Sequence, residues 1–246
     1  MLKVKVCDDR ATLGAMAAKQ AASAIRDAIQ AKGNARVIFA AAPSQNEMLA
    51  ALVQEKGIDW SLVTALHMDE YIGLPKNSPA RFSYYLHRHC FDLLPFGKIC
   101  LLDDGTENVA PDVLCARYNS CLAEGPIDVV CMGIGENGHI AFNDPPVADF
   151  NDPLQVKIVT LDEACRRQQV NDGCFPDFDS VPKQAITLTV PTLMGGICLV
   201  CSVPGRLKRK AVTDTISAPI STDCPATILR THSNATLFVD HDSYAG

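Results

Sequence analysis

The sequence lacks several features that mark common classes of protein. Its 246 residues contain no apolar run approaching the roughly 18–20 residues that span a bilayer, and the opening MLKVKVCDDR has no apolar segment that would direct secretion. Basic residues are scattered, apart from the stretch 206–210, and the formal net charge is −6. We therefore expect a protein that binds neither membranes nor nucleic acids.

Two catalytic signatures are also missing. The chain contains no Gly-x-Ser-x-Gly sequence, which presents the nucleophile of many serine hydrolases, and no Walker loop, which cradles nucleotide phosphates. Hydrolysis by a serine triad of that kind and Walker-type nucleotide binding therefore have no support in the sequence.

Metal sites and disulfides are not expected, although the chain has eleven cysteines. Cys131, Cys198 and Cys201 lie in apolar, strand-like runs, where a free cysteine behaves as a small hydrophobe. The spacing of Cys198 and Cys201 resembles half of a zinc site, but no second pair of ligands follows it. Positions three apart on a strand also point to opposite faces. We expect reduced thiols in the cytoplasm and no structural metal.

About half of the residues are apolar, which is enough for one sizeable core, and strand-like and helix-like segments alternate along the chain. This alternation predicts an α/β fold, with a single doubly wound, mainly parallel sheet and helices on both faces, over residues 1–246. The predicted strands are 2–7, 36–42, 61–68, 128–132, 186–190, 196–203 and 236–239. The predicted helices are 11–32, 82–91, 110–124, 207–215 and, from a capping-box pattern at 44–47, 44–56.

The richest stretch is IDVVCMGIGENGHIAFNDPP at 127–146. Its apolar start predicts a buried strand, and glycines then deliver a group of polar residues to the sheet edge where ligands of α/β proteins bind. These residues are Glu136, Asn137, His139, Asn143 and Asp144. His139 can titrate near neutral pH, and the Asp144 carboxylate could hold its imidazole in one tautomer. The alternative is a polar turn in which His139 only bonds the backbone.

Asp69 and Glu70 follow another predicted strand and are expected at the same edge of the sheet. Adjacent carboxylates there could supply a general base. The alternatives are a solvated pair at a strand end or a helix cap. Because the pair is expected beside the group around His139, we favour the catalytic interpretation.

HMDEYIGL at 67–74 and GIGENGHIAFNDP at 133–145 together resemble the glucosamine-6-phosphate deaminase/isomerase family. The resemblance covers most of the chain, including 84–88, 181–185 and 205–221. The related 6-phosphogluconolactonases usually carry Ser-Leu-Phe-Pro where this chain reads Ala-Phe-Asn-Asp-Pro, which favours the deaminase branch.

The resemblance implies a cofactor-independent enzyme that converts glucosamine 6-phosphate to fructose 6-phosphate and ammonia in amino-sugar catabolism. Its partner would be a small-molecule sugar phosphate, and the sequence does not decide between a monomer and a homo-oligomer. Three alternatives remain: a galactosamine-6-phosphate deaminase/isomerase, a 6-phosphogluconolactonase-type hydrolase, and a non-catalytic sugar-phosphate sensor. The sensor is disfavoured because binding alone needs neither a base nor a ring-opening acid.

The resemblance also implies roles for single residues. Asp69 matches the base that moves a proton between C2 and C1, and His139 matches the residue that assists ring opening. Asn137 and Asp144 match the residues that support this histidine, although Asp144 is one methylene shorter than the usual glutamate.

Three residues match the family's phosphate ligands: Ser44, Lys208 and Arg167. Ser44 lies in a loop that has Pro43, which has no N–H to donate, where relatives have a glycine-rich sequence. Arg167 is preferred over its neighbour Arg166 within a polar, loop-like segment at about 160–183. We expect this segment to act as a lid over the site.

Overall fold

The computed structural model describes residues 2–106, 109–161, 163–171, 173 and 175–245, without the side chains of residues 164, 165 and 168. Its main sheet has seven strands, all parallel, in the order β1-β10-β9-β6-β2-β3-β5. These strands are β1 (Lys3–Cys7), β2 (Ala35–Phe39), β3 (Val63–His67), β5 (Lys98–Cys100), β6 (Val129–Met132), β9 (Cys198–Val203) and β10 (Ala235–Asp240). The predicted α/β fold with a mainly parallel sheet is confirmed.

Alternate side chains of the strands enter separate apolar layers on the two faces of the sheet. On β2, Ile38 packs into one layer, whereas Val37 packs into the other. On β9, Cys198 and Cys201 likewise lie in different layers, as predicted for positions three apart on a strand. Because these two thiols point to opposite faces, they cannot share a metal ion or a disulfide.

Helices cover both faces. They are α1 (Arg10–Lys32), α2 (Asn46–Leu52), α3 (Phe82–Leu86, continued by a π-helical turn at His87–Phe91), α4 (Pro111–Leu122), α5 (Glu163–Asn171), α6 (Val190–Met194) and α7 (Arg209–Ser217). Helices α1 and α2 pack on one face, and α4 and α7 on the other. The Asp9 carboxylate caps α1 by accepting a hydrogen bond from the Thr12 N–H at 2.7 Å, and Gly33 ends it with a φ of 81°. None of the helices in the described part of the chain is long and apolar enough to cross a membrane.

A second, antiparallel sheet of three strands was not predicted. It contains β4 (Asp69–Tyr71), β7 (Val156–Thr160) and β8 (Gln184–Leu188), in the order β4-β8-β7. The segment 186–190, predicted as a strand of the main sheet, contributes instead to β8. Its apolar run indicates a buried strand but does not specify which strands it pairs with.

The prediction that a capping box at 44–47 starts a helix running to residue 56 is wrong. Residues Pro43–Gln45 form a 3-10 turn, and α2 begins only at Asn46 and ends at Leu52. The Ser44 hydroxyl makes no capping bond and instead accepts a hydrogen bond from Gln45 Nε2 at 3.2 Å. Pro43 fixes the first position of the turn, which places Ser44 inside it.

Candidate active site

A cleft opens at the carboxyl ends of the parallel strands, where β2 and β6 lie side by side. The later main-sheet strands β3 and β5 lie on the β2 side of this pair, and β9 and β10 lie on the β6 side. The connections that follow β2 and β6 therefore leave in opposite directions, which opens a crevice between them. The cleft has a volume of about 380 Å³, which falls in the range of small-molecule sites. Its walls are residues 40–45, 133–136, 141–142 and 204–208, with Arg10, Met68, Asp69, Phe82, His139 and Gln169.

The loop after β6 is held by its own amide side chains. Asn137 Nδ2 donates to Asp144 Oδ1 at 2.9 Å, and Asn137 Oδ1 accepts from the His139 N–H at 3.0 Å. Asn137 therefore fixes both the backbone that carries the imidazole and the carboxylate beside it. Ala141 adopts a left-handed φ of 51°, a conformation that non-glycine residues rarely take and that often occurs at functional sites.

The imidazole of His139 lies between Asp144 and the backbone of Gly135. Its Nδ1 is 3.0 Å from Asp144 Oδ1, an ion-pair distance, but the contact is not aligned as a hydrogen bond. A Cβ at Gly135 would lie 2.2–2.5 Å from three ring atoms of His139, so only glycine leaves room for the imidazole here. The shorter carboxylate at position 144 thus still reaches His139, and Nε2 is the ring nitrogen that remains for a ligand.

Strand β8 holds both halves of this arrangement. Asp69 on β4 is paired in register with Thr187 of β8. The Thr187 hydroxyl also accepts a hydrogen bond from the Phe142 N–H at 3.2 Å, and Asn143 Nδ2 donates to the Leu188 carbonyl at 2.8 Å. Asp69 and Phe142 are therefore both attached to Thr187, and Asn143 is attached to the next residue of the same strand.

The two adjacent carboxylates have different surroundings. Asp69 is 8% exposed and lines the cleft. Burial raises the pKa of Asp69 well above its ordinary value, and the neighbouring Glu70 carboxylate raises it further. Glu70 does not line the cleft; it accepts hydrogen bonds from the N–H groups of Phe82 and Ser83 and from the Ser83 hydroxyl, and it lies 3.7 Å from the Arg81 guanidinium. Glu70 thus caps the start of α3, and Asp69 alone is available to a ligand.

Basic side chains line another part of the cleft. Lys208 lies in the 3-10 turn Arg206–Lys208 after β9, and this turn and Ser44 both contribute to the walls. Gly205 precedes the turn with a φ of 94°, and its N–H donates to both carboxylate oxygens of Asp240, at 3.1 and 3.0 Å. The structure therefore brings the predicted residues Ser44 and Lys208 to the same cleft as Asp69 and His139.

Arg167 does not reach the cleft. Its side chain is 66% exposed and lies 3.6 Å from Glu163 on the same helix. Arg166 is buried and donates to the carbonyls of Phe178 and Val181 at 2.7 and 2.9 Å, so it holds the following segment in place. The role of Arg167 as a phosphate ligand stays a prediction that this arrangement does not favour.

The segment predicted as a polar loop is partly helical, because α5 runs from Glu163 to Asn171. Gln169 of this helix is buried and lines the cleft, and its Oε1 accepts a hydrogen bond from the Tyr71 hydroxyl at 2.6 Å. Gln169 was not predicted as a site residue. Its position three residues after Arg166 would have placed the two on one face, had the segment been recognised as a helix.

Arg10 and Arg206 also line the cleft and were not predicted as site residues. No local motif identifies Arg10, because it is the first residue of α1 and reaches the cleft only through the packing of α1 against α2.

The glycines at 133, 135 and 138 have the spacing of a dinucleotide-binding loop, but in the described part of the chain no helix follows them before α5. That fingerprint needs a helix whose first N–H groups meet the pyrophosphate, so the spacing does not indicate dinucleotide binding here. Among the residues described, no group of three or more His, Cys, Asp and Glu side chains could hold a metal ion.

The fold and the cleft together define an α/β protein suited to acid–base chemistry on a small anion. The cleft combines a buried carboxyl group, an imidazole beside a carboxylate, and basic side chains.

Comparison with known proteins is consistent with this class. The sequence model of the family described as glucosamine-6-phosphate isomerases/6-phosphogluconolactonase matches residues 8–238, and the chain belongs to this family.

Two relatives illustrate the similarity. A glucosamine-6-phosphate deaminase of Lactobacillus delbrueckii subsp. bulgaricus is 32% identical over 241 residues, which cover 97% of each chain. A glucosamine-6-phosphate deaminase of Bacillus cereus (strain B4264) is 33% identical over 219 residues, covering 89% of this chain and 80% of the relative.

Solved structures agree on the fold. A structure described as a monomeric glucosamine-6-phosphate deaminase has a TM-score of 0.87 at 28% identity, covering 98% of each chain. A putative 6-phosphogluconolactonase from Neisseria gonorrhoeae has a TM-score of 0.77 at 16% identity, covering 98% of this chain and 100% of the neighbour's chain. At this identity the similarity shows only that the two proteins share a fold.

Proposed function

We propose that this protein is a glucosamine-6-phosphate deaminase, which converts glucosamine 6-phosphate and water to fructose 6-phosphate and ammonia without a cofactor. The observation that supports it most directly is the arrangement of Asp69 and the His139–Asp144 pair in one cleft with Lys208. The relatives at 32–33% identity carry the same named activity.

The proposed reaction uses these groups in sequence. His139, supported by Asn137 and Asp144, assists opening of the sugar ring by moving a proton at the ring oxygen. Asp69 then takes the proton from C2 and returns it to C1, which converts the aldose with an amine at C2 into the corresponding ketose imine. Water adds to the imine carbon, and ammonia leaves. The raised pKa of Asp69 suits this role, because a carboxylate that holds protons more tightly is a stronger base once ionised.

Ser44 and Lys208 would bind the phosphate of the substrate. A phosphate held far from the reacting carbons contributes binding energy that positions C1 and C2. The segment at 160–183, which includes α5, would act as the lid, and the contact between Gln169 and Tyr71 would hold it against the cleft.

The setting of this reaction would be amino-sugar catabolism, downstream of N-acetylglucosamine breakdown, in the cytoplasm. Nine cysteines in the described part of the chain are unpaired thiols, which supports a reducing compartment.

An ammonia-release assay on glucosamine 6-phosphate tests the proposal, with galactosamine 6-phosphate as the epimer control and 6-phosphogluconolactone as the substrate of the hydrolase alternative. The expected result is ammonia and fructose 6-phosphate from the glucosamine sugar, with deuterium at C1 when the reaction runs in D₂O. Lactone hydrolysis without ammonia release would assign the chain to the other branch of the family. Tight binding of the sugar phosphate with no turnover would indicate a sensor.

A further inference from the structure

Arg10 lines the cleft and lies between two of its loops. Its Nε and Nη2 bind the Glu47 carboxylate side-on at 3.0 and 3.1 Å, and Nη2 also donates to the Pro43 carbonyl at 3.2 Å. Nη1 faces the other loop, 3.8 Å from where a Cβ on Gly205 would lie. Within the described residues, Nη1 donates no hydrogen bond, so both of its N–H groups are available to a ligand.

The position of Arg10 is fixed by an unusually close helix contact. A Cβ on Gly14 would lie 2.5 Å from the Glu47 Cβ, so α1 approaches α2 more closely than any side chain at position 14 would allow. Arg10 is one turn before Gly14 on the same face of α1. The close approach therefore places the guanidinium over the start of α2 and beside the 3-10 turn that carries Ser44.

The loop after β2 has few donors of its own for a phosphate. Pro43 has no N–H, and the Gln45 N–H is already donated to the Ala42 carbonyl at 2.8 Å. The turn therefore offers a phosphate chiefly the hydroxyl and the N–H of Ser44. A phosphate dianion accepts several hydrogen bonds, and a guanidinium supplies charge and N–H groups together.

We propose that Arg10 is a ligand of the substrate phosphate, acting through Nη1 beside Ser44 and Lys208, while Glu47 holds the other side of the guanidinium. This inference rests on the proposed function for the identity of the substrate, but not for the binding of phosphate itself. It assigns to Glu47 the role of orienting Arg10, since a side-on pair fixes the plane of the guanidinium.

The test compares Arg10→Ala and Arg10→Gln with the wild-type protein. Arg26→Ala is the matched control, because Arg26 also leaves α1 to pair with a glutamate, Glu55 at 3.3 Å, and donates to the Lys56 carbonyl at 2.7 Å. Arg26 makes the same kind of contact away from the cleft. Two kinds of measurement are made: calorimetry gives the dissociation constant of inorganic phosphate, and steady-state kinetics gives KM and kcat for glucosamine 6-phosphate.

Both Arg10 variants are expected to bind inorganic phosphate about tenfold more weakly and to raise KM by a similar factor, with kcat within about twofold of wild type. Arg26→Ala should change neither constant. A folded Arg10 variant with wild-type phosphate affinity would overturn the proposal, and so would an equal loss in Arg26→Ala, which would indicate a purely structural contact between helices. If Arg10→Ala does not fold, the phosphate affinity of Arg10→Gln decides between these outcomes, because glutamine keeps part of the aliphatic side chain.

The two proposals can fail separately. If the wild-type protein releases no ammonia from any sugar phosphate, the proposed function is wrong, yet the calorimetric comparison still decides the role of Arg10. If ammonia is released and the phosphate affinity of the Arg10 variants is unchanged, only the role of Arg10 is wrong.

Discussion

Gly135→Ala should displace the imidazole of His139 while leaving the fold intact. The added Cβ would lie 2.2 Å from His139 Cε1, whereas carbon atoms in contact are separated by about 3.5 Å or more. The ring must therefore move by roughly 1 Å, which breaks its 3.0 Å contact with Asp144. Gly135 does not have a left-handed φ, so alanine can adopt its backbone conformation.

A misplacement of about 1 Å in a catalytic group can cost about 10²-fold in rate, and we expect a loss of that order in kcat/KM for ammonia release. Gly125→Ala is the matched control, because its Cβ would meet only Arg36 Cδ at an ordinary 3.6 Å, far from the cleft. This control should keep full activity and a wild-type melting temperature.

A double-mutant cycle shows whether the effect acts through the imidazole. In a His139→Ala background, Gly135→Ala has no ring to displace, so it should cause little further loss of activity or of thermal stability. Near-wild-type kcat/KM in Gly135→Ala would refute the reasoning, because it would mean that the observed position of His139 is not required. Additive losses in the double variant would show that the added methyl group acts on something other than the ring.

Two further changes test the acid–base and phosphate assignments. Asp69→Asn should lower kcat by about 10²–10⁴-fold, because the basic oxygen is lost while the size is kept. The same variant should melt at a higher temperature than wild type at neutral pH: the pKa of Asp69 is raised in the folded state, so folding favours its protonated form and stability falls as pH rises through that pKa. Lys208→Ala should raise KM with little change in kcat, because a phosphate is held equally in the ground and transition states.

Each of these has an informative control. The stability gain of Asp69→Asn should vanish in acid, below the ordinary pKa of an aspartate, and a gain of equal size at all pH values would exclude a buried charge as its cause. Lys210→Ala is the control for Lys208, since Lys210 pairs with Asp214 on the exposed side of α7. A loss confined to kcat in Lys208→Ala would argue against a phosphate ligand.

The central strand and its loop were predictable because their signals are local. An apolar run followed by glycines and polar side chains identifies β6 and the ligand edge of the sheet, whatever the rest of the chain does. The same pattern, an apolar run followed by polar residues, predicted that Asp69 lies at that edge. It could not separate Asp69 from Glu70, because the partners that turn Glu70 into a cap, Arg81 and Ser83, belong to a later part of the chain.

The second sheet and α5 were missed for a different reason. Strand β4 has only three residues and follows β3 after a single residue, so the sequence reads as one continuous strand. In α5, the side chains of Arg166 and Gln169, three positions apart, are buried. Both are polar, and hydrogen bonds to residues distant in sequence satisfy them. A helix whose inward face is polar shows no apolar periodicity to detect.

The attachment of Asp69 and the 140–143 loop to Thr187 and Leu188 has a consequence for how this cleft can change. One short strand, β8, holds both Asp69 and the end of the loop that carries the imidazole, and none of these bonds involves the loops after β2 and β9. The loop after β9 carries Arg206 and Lys208, and the loop after β2 carries Ser44. Substitutions in those two loops can therefore change how an anion is bound while the hydrogen bonds to β8 stay as they are. The proposed proton-transfer groups and the proposed phosphate ligands are thus held in part by different elements of the fold, so the loop at 40–45 can vary in sequence without changing the bonds that hold Asp69 and Phe142 to β8.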